Sequence, residues 1–442
     1  MSRTKGAIIV IVAAVAIGVG VSLAFQANSA PPVIPPPSND MPPPPSNGNN
    51  DIDDNGNFSV LPDSNPPVVK DASLRVEKVI EGLSAPTSMT FLDQDDLMIV
   101  QKDNGRVRHV SNGVLQPGSL LEVSVRNNSE RGLLGLAVAD RTDASDVFLY
   151  FTEDSNGDTR NRVYRYDWTG QGAISGGALL LMDLPGTPGP NHDGGKITLG
   201  PDGLLYVVIG DLNRDGMLQN FRNGPSPDDT SVIIRVDRDG KPSGNPPLSD
   251  SDPATNDALA TYYAYGIRNS FGMDFDPLTD ILWDTENGPA DYDEINAVHP
   301  GFNSGWQQVM GPIERTDDEP GDLVGFDGSE YSDPEFSWRQ AEGITDIEFL
   351  SSTKLGDRYS FNVFVGDINN GNLYFFMVND ERDGFTFDSA GLQDLVADNR
   401  DELSAVTFGT GFGGITDIET GPDGYLYILT FGGDLYRIVP AR

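Results

Sequence analysis

Residues 414–438 read GITDIETGPDGYLYILTFGGDLYRI. Apolar and polar residues alternate from Ile415 to Glu419, the period of a strand with one buried face. Gly421-Pro422-Asp423-Gly424 is turn chemistry, and Tyr425 to Leu429 is apolar enough for a strand buried on both faces. Gly432-Gly433 turns again before Asp434 to Ile438. The reading is three consecutive antiparallel strands. Both halves of the pattern recur: GITDIE also occupies 343–348, and GPDG also occupies 200–203. Recurrence of this kind is the sequence signature of a repeat architecture.

Working outward, five more units follow the same grammar of alternating strand, turn, apolar strand, glycine and short third strand. They are centred on 86–108, 132–166, 196–236, 271–283 and 343–375. Six units of about four strands, set radially, predict an all-β, six-bladed β-propeller, an arrangement that leaves few sheet edges open. The last unit has three strands. Residues 73–80, SLRVEKVI, form an unattached strand, and an N-terminal strand closing the last blade follows. The long polar insertions 213–230 and 309–336 must then lie on loop faces. With 50 Gly and 32 Pro in 442 residues and no long helical periodicity, composition agrees with an all-β chain.

The N-terminus is different. Arg3 and Lys5 precede an apolar run from Ala7 to Phe25, so 1–30 reads as a signal peptide or membrane anchor with an exported body. Residues 31–72, rich in Pro, Asn and Asp, cannot bury a core and read as a disordered linker, leaving 73–442 as the propeller. The expected location is extracellular or at the cell surface, touching membrane only through the N-terminal segment. Net charge is −38, from 67 acidic and 29 basic residues, which excludes nucleic acid as a partner. The absence of cysteine excludes disulfides, thiolate metal sites and a cysteine nucleophile.

Candidate chemistry lies in the loops that enter the innermost strands, because these meet at one end of the channel. His192, in NHDGG at 191–195, sits in a sharp turn with little bulk to shield the imidazole. The hairpin after it returns Asp211 to the same end. The loops 127–131 and 265–270 carry Glu130 and Arg268 to the same axis, so that a base, a carboxylate and a cation converge. As an alternative, Arg268 braces loop carbonyls. DLNRDG at 211–216 and DIDDNG at 51–56 match the first half of an EF-hand loop, but Arg222 and Pro62 stand where the twelfth-position glutamate belongs.

These residues carry a resemblance. NHDGG at 191–195, GPDG, IGD at 209–211, ERGLLG at 130–135, GIRNS at 266–270, ENGP at 286–289, DEIN at 293–296 and NSGW at 303–306 resemble, in order, the soluble quinoprotein glucose/sorbosone or aldose sugar dehydrogenases. The resemblance implies pyrroloquinoline quinone (PQQ) and Ca2+ as cofactors, an aldose oxidised at C1 and an external electron acceptor. It implies His192 as general base, Arg268 as the cation beside a quinone oxygen, and Glu130, Asp211 and Asn269 around the ring system. The carbonyls of Gly288 and Pro289 would bind calcium. The chain departs from the pattern where Asn369, Gly414 and Thr416 replace the Lys, Arg and Arg that hold the cofactor's carboxylates, and where Gln307 replaces Pro. Arg131 and Arg214 are the candidate compensating cations. Two rivals remain: a surface-tethered propeller binding module that has lost PQQ, favoured by the missing cations, and a calcium-dependent lactonase-type hydrolase, disfavoured by a lack of inward-facing acids where blades begin.

Overall fold

A computed structural model describes residues 50–52, 58–60 and 66–441, apart from 156 and 175. Every described residue belongs to one compact unit, Gly48–Arg442. The expected leader, most of the expected linker, and 53–56 of the DIDDNG stretch therefore lie outside the described residues. Among those described, no helix is long and apolar enough to cross a membrane.

The fold is an all-β propeller. Beside a two-stranded pair, Asn50–Ile52 with Phe58–Val60, six sheets of four to six strands are present among the described residues. Their first strands are Pro86–Asp93, Leu133–Asp140, Ile197–Leu199, Ser270–Phe275, Ile344–Phe349 and Ile415–Thr420. The second strands follow the apolar runs of the sequence. Leu205–Ile209 and Leu426–Thr430 are buried at every position, as strands flanked by sheets on both faces must be. Each cluster of buried apolar side chains spans two neighbouring sheets. One packs Tyr150 and Val163 against Val207 and Ile234, and another packs Ile99 and Val110 against Leu429 and Leu435. Leu74–Ile80 pairs antiparallel with Leu435–Pro440.

Residues of the expected linker 31–72 also pair with the propeller sheets. Val68–Val69 pairs with Gly409 and Thr410, and the Lys70 ammonium donates to the Ser404 carbonyl at 2.7 Å. Two adjacent β-branched residues beside an open strand edge suffice for this, although the composition around them is that of a linker.

The repeated GITDIE motif explains how first strands hold each other. Each of these strands breaks register near its start, between Ile344 and Ile347 and between Ile415 and Asp417. The motif's aspartate accepts a backbone N–H from the next sheet: Asp346 from Ile418 at 2.9 Å and Asp417 from Met89 at 2.6 Å. Asp274 does the same for Phe349 at 2.8 Å. These carboxylates link neighbouring sheets around the axis and satisfy donors that a flat ladder would have used. The expectation that acids would be absent from the inner strands is therefore corrected. Asp346 and Asp417 face inward and hold Lys196 between them, 2.7 Å from each.

Candidate active site at the channel mouth

A cavity of about 630 Å3 opens on the axis. Thr87, Leu134, Phe271, Thr345 and Thr416, from the starts of five first strands, and Lys196, just before the remaining one, line it, together with Glu130, Asn287 and Asn369 from loops. Such a volume accommodates a drug-sized ligand.

His192 stands beside this cavity in a left-handed conformation, φ 64°. The turn needs its glycines. A Cβ on Gly194 would come within 2.7 Å of the Val208 carbonyl, and one on Gly195 within 2.6 Å of the Leu134 side chain. The imidazole is not open to solvent as the turn suggests. His192 is 8% exposed, because residues distant in sequence cover it. Its Nδ1 donates to Asp211 Oδ1 at 2.6 Å, while the indole of Trp306 donates to Asp211 Oδ2 at 2.8 Å. With Nδ1–H fixed on a carboxylate, Nε2 is the basic nitrogen, and it makes no hydrogen bond among the described residues.

Glu130 ties the loops together: its Oε2 accepts from the His192 backbone N–H at 2.6 Å and from the Asn269 amide at 3.1 Å. The Asn269 oxygen accepts in turn from Gly194 N–H at 3.3 Å. The backbone N–H of Arg268 donates to Glu286 at 2.6 Å, and its guanidinium to the Asn287 carbonyl at 2.7 Å, so it does brace a loop. The same guanidinium lies 5.2 Å from the centre of the Trp306 ring, and its buried Nε has no hydrogen-bond partner. Burial lowers the Arg268 pKa from the usual value, and Asp211 and Glu286 work against that. Behind it, burial and then Glu294 and Asp284 hold Glu286 well above the usual carboxylate range. Asp193, 0% exposed and bonded to Asn161 at 2.8 Å, is pushed up to about 7 by burial.

The structure thus joins His192, Asp211, Glu130, Asn269 and Arg268 in one hydrogen-bonded network, of which Glu130 reaches the cavity wall. Gly288 is half-buried and Pro289 exposed; neither lines the cavity, although the preceding Asn287 does. Among the described residues no group of three or more His, Asp or Glu side chains could hold a metal ion, so a cation here would depend on main-chain oxygens. Asp211–Gly216 is no EF-hand half-site, since both Asp211 oxygens are engaged by His192, Asn213 and Trp306. Asn369 and Thr416 do line the cavity, as the motif positions require, whereas a Cβ on Gly414 would meet the Ile368 carbonyl at 2.7 Å.

The candidate compensating cations are engaged elsewhere. Arg131 donates to the Gly186 and Pro188 carbonyls, and Arg214 is paired with Asp228. Sequence reading missed three features. Trp306 as a wall over Arg268 and Asp211 depends on both insertions: Asn220 holds the Trp306 carbonyl at 2.7 Å, and Arg222 donates to carbonyls of the other insertion. Lys102 and Lys196 at the cavity were also missed. The doubled GITDIE motif was the available signal for the aspartates on Lys196.

The axial cavity, adjoined by a carboxylate-oriented histidine and a half-buried arginine, has the size and polarity that suit a small molecule. Residues 83–437 match the glucose/sorbosone dehydrogenase family, and the chain belongs to it. The aldose sugar dehydrogenase YliI of Escherichia coli is 25% identical over 383 residues, 84% of this chain and 94% of that protein. The uncharacterized protein slr1608 of Synechocystis is 28% identical over 386 residues, 83% of this chain and 86% of that one. Among solved structures, a putative oxidoreductase (glucose dehydrogenase) of Thermus thermophilus superposes with TM-score 0.63 at 28% identity, covering 83% of this chain and 100% of that one. The PQQ-bound aldose sugar dehydrogenase of Streptomyces coelicolor gives 0.60 at 23% identity, covering 84% and 99%, a likeness of fold.

Proposed function

We propose that the chain is a PQQ-dependent aldose dehydrogenase. The observation that carries this reading is the His192–Asp211 pair, which leaves Nε2 as a base beside the axial cavity. Asp211 fixes the tautomer and stabilises the imidazolium formed when Nε2 takes the C1 hydroxyl proton. PQQ, when bound, supplies the two-electron acceptor for the C1 hydride. Three observations fit the residues to that group: the volume of the cavity, the partnerless buried Nε of Arg268, and Lys102 in the cavity wall. Arg268 would place positive charge beside a quinone oxygen. Glu130 and Asn269 would fix the loop that carries the base. Calcium would bind at the carbonyls of Gly288 and Pro289, and an external acceptor would reoxidise the cofactor.

The blade count we propose is six, supported by the six sheets of four to six strands among the described residues, each of which brings the start of its first strand to the cavity. The pairing of Leu74–Ile80 with Leu435–Pro440 would close the ring. Deleting 66–82 should then lower the melting temperature of the whole domain, and an unchanged melt would refute closure. The N-terminal apolar run supports export, with cell fractionation as its test. Residue 367 onward offers the binding-module reading its support, since the wall there is uncharged at Asn369 and Thr416. The deciding experiment is aldose-dependent reduction of an artificial acceptor after loading with PQQ and calcium. Tight loading without turnover on a broad aldose panel would eliminate the dehydrogenase.

A further inference from the structure

Two lysines line the cavity, and they differ in how far their charge is already neutralised. Lys196 lies 2.7 Å from each of two buried aspartates, Asp346 and Asp417. A ligand anion approaching it would also approach two carboxylates in a poorly solvated place, and Coulomb repulsion is strong there.

Lys102 has a single carboxylate partner, Asp103, at 2.8 Å, whose side chain is 45% exposed. Its second contact is the neutral Asn127 carbonyl at 3.1 Å. An ammonium has three N–H donors, so one remains. An exposed aspartate is readily hydrated and gives way to a better acceptor, as a buried one does not. The root of Lys102 is fixed. Its backbone N–H donates to Ala85 at 2.9 Å and its carbonyl accepts from Leu133 at 3.0 Å. Its stem packs where a Cβ on Gly132 would come within 2.5 Å. The loop that carries Asn127, Ser129 and Glu130 is anchored to the same place, since the Asn127 amide donates to the Asp103 carbonyl at 2.9 Å.

Position completes the case. Asn369 and Thr416 share the cavity wall with Lys102 and carry no charge. Lys102 directly follows the strand Asp96–Gln101, whose partner strand Pro86–Asp93 adjoins the strand of Thr416, as the bond from Met89 to Asp417 shows. A cation at Lys102 therefore serves the same cavity from one sheet further round.

We propose that Lys102 is the anchor for a carboxylate of the bound cofactor, replacing the cations that the chain lacks at 369 and 416. This rests on the PQQ reading above. The lysine receives a charge-assisted hydrogen bond partner and displaces Asp103 towards water; no covalent step is involved.

The test is calorimetric titration of the calcium-loaded protein with PQQ and with its neutral trimethyl ester. Lys102→Gln should weaken PQQ binding about 10- to 100-fold, the range of one charge-assisted hydrogen bond, and Lys102→Arg should restore most of it. The ester should bind wild type and Lys102→Gln alike, because the lost partner is a charge; a merely structural role would weaken both ligands. Asp103→Asn, at a half-exposed position where folding is not at stake, should tighten PQQ binding several-fold by removing the competing carboxylate. Wild type that binds PQQ with Lys102→Gln binding it equally well, or Asp103→Asn binding it more weakly, overturns the anchor and leaves the dehydrogenase reading standing. Wild type that binds no PQQ overturns the reading itself, and the anchor with it.

Discussion

The two sides of the axial cavity are built on opposite principles. On the His192 side the carboxylates are densely bonded: Asp211 takes three hydrogen bonds, Glu130 two, and Trp306 covers both Asp211 and Arg268. On the other side Asn369 and Thr416 carry no charge, and burial raises the pKa values of the carboxylates behind them. Burial pushes Asp367 and Glu342 up to about 7, and Glu419 up to about 8. The first side is arranged to hold one proton at one atom. The second sets what charge the cavity accepts. Chemistry and ligand charge can therefore change separately in this fold, because they rest on different sheets.

The largest expected effect breaks the first side. His192→Ala should lower aldose turnover by roughly 10²–10⁴-fold, the usual share of a general base. Because the ring is buried and bonded to Asp211, the substitution should also cost about 1–3 kcal/mol of stability by leaving a buried carboxylate oxygen short of a partner. Thermal melts beside steady-state rates separate the two. Asp211→Asn should retain folding but lose most turnover, since an amide no longer fixes the Nδ1–H tautomer. Equal turnover in wild type and Asp211→Asn would show that the pair does not orient the base.

A smaller effect sharpens the second side. Asn369→Lys and Thr416→Arg together should tighten PQQ affinity, each charge contributing about 1.5–3 kcal/mol. Gly414→Arg should add little, because even its Cβ would crowd the Ile368 carbonyl. Calorimetry on the double and triple variants checks this, and no gain from the double variant would mean that the uncharged wall does not face the cofactor's carboxylates.

The smallest effect concerns protons behind that wall. Glu342, Asp367 and Glu419 have folded-state pKa values raised above the ordinary carboxylate range. Between about pH 4 and pH 8 the folded protein keeps protons that the unfolded chain has released, so stability falls as pH rises through that window. The melting temperature should be higher at pH 5.5 than at pH 8.5, and Glu419→Gln should flatten the slope. A slope of the opposite sign would show these groups ionised in the folded protein.

The sequence by itself determined the all-β repeat plan and the order of the family motifs. Strand period, turn residues and recurrence are local, and GITDIETGPDGYLYIL announces its hairpin without outside help. It also determined that His192 and Asp211 would share one end of a hairpin, for the same local reason. Tertiary structure decided the rest. Trp306 reaches Asp211 across 95 positions only because two polar insertions bond to each other. Asp346 and Asp417 face inward because a register break at each strand start turns them towards the next sheet, which alternation alone does not reveal. Arg131 and Arg214 are cations near the motifs in sequence, but carbonyls and Asp228 hold them, whereas Lys102 reaches the cavity from an unremarked turn. Charge in a sequence is a count. Which charges a ligand meets depends on which are already paired, and pairing is made between segments that the chain keeps far apart.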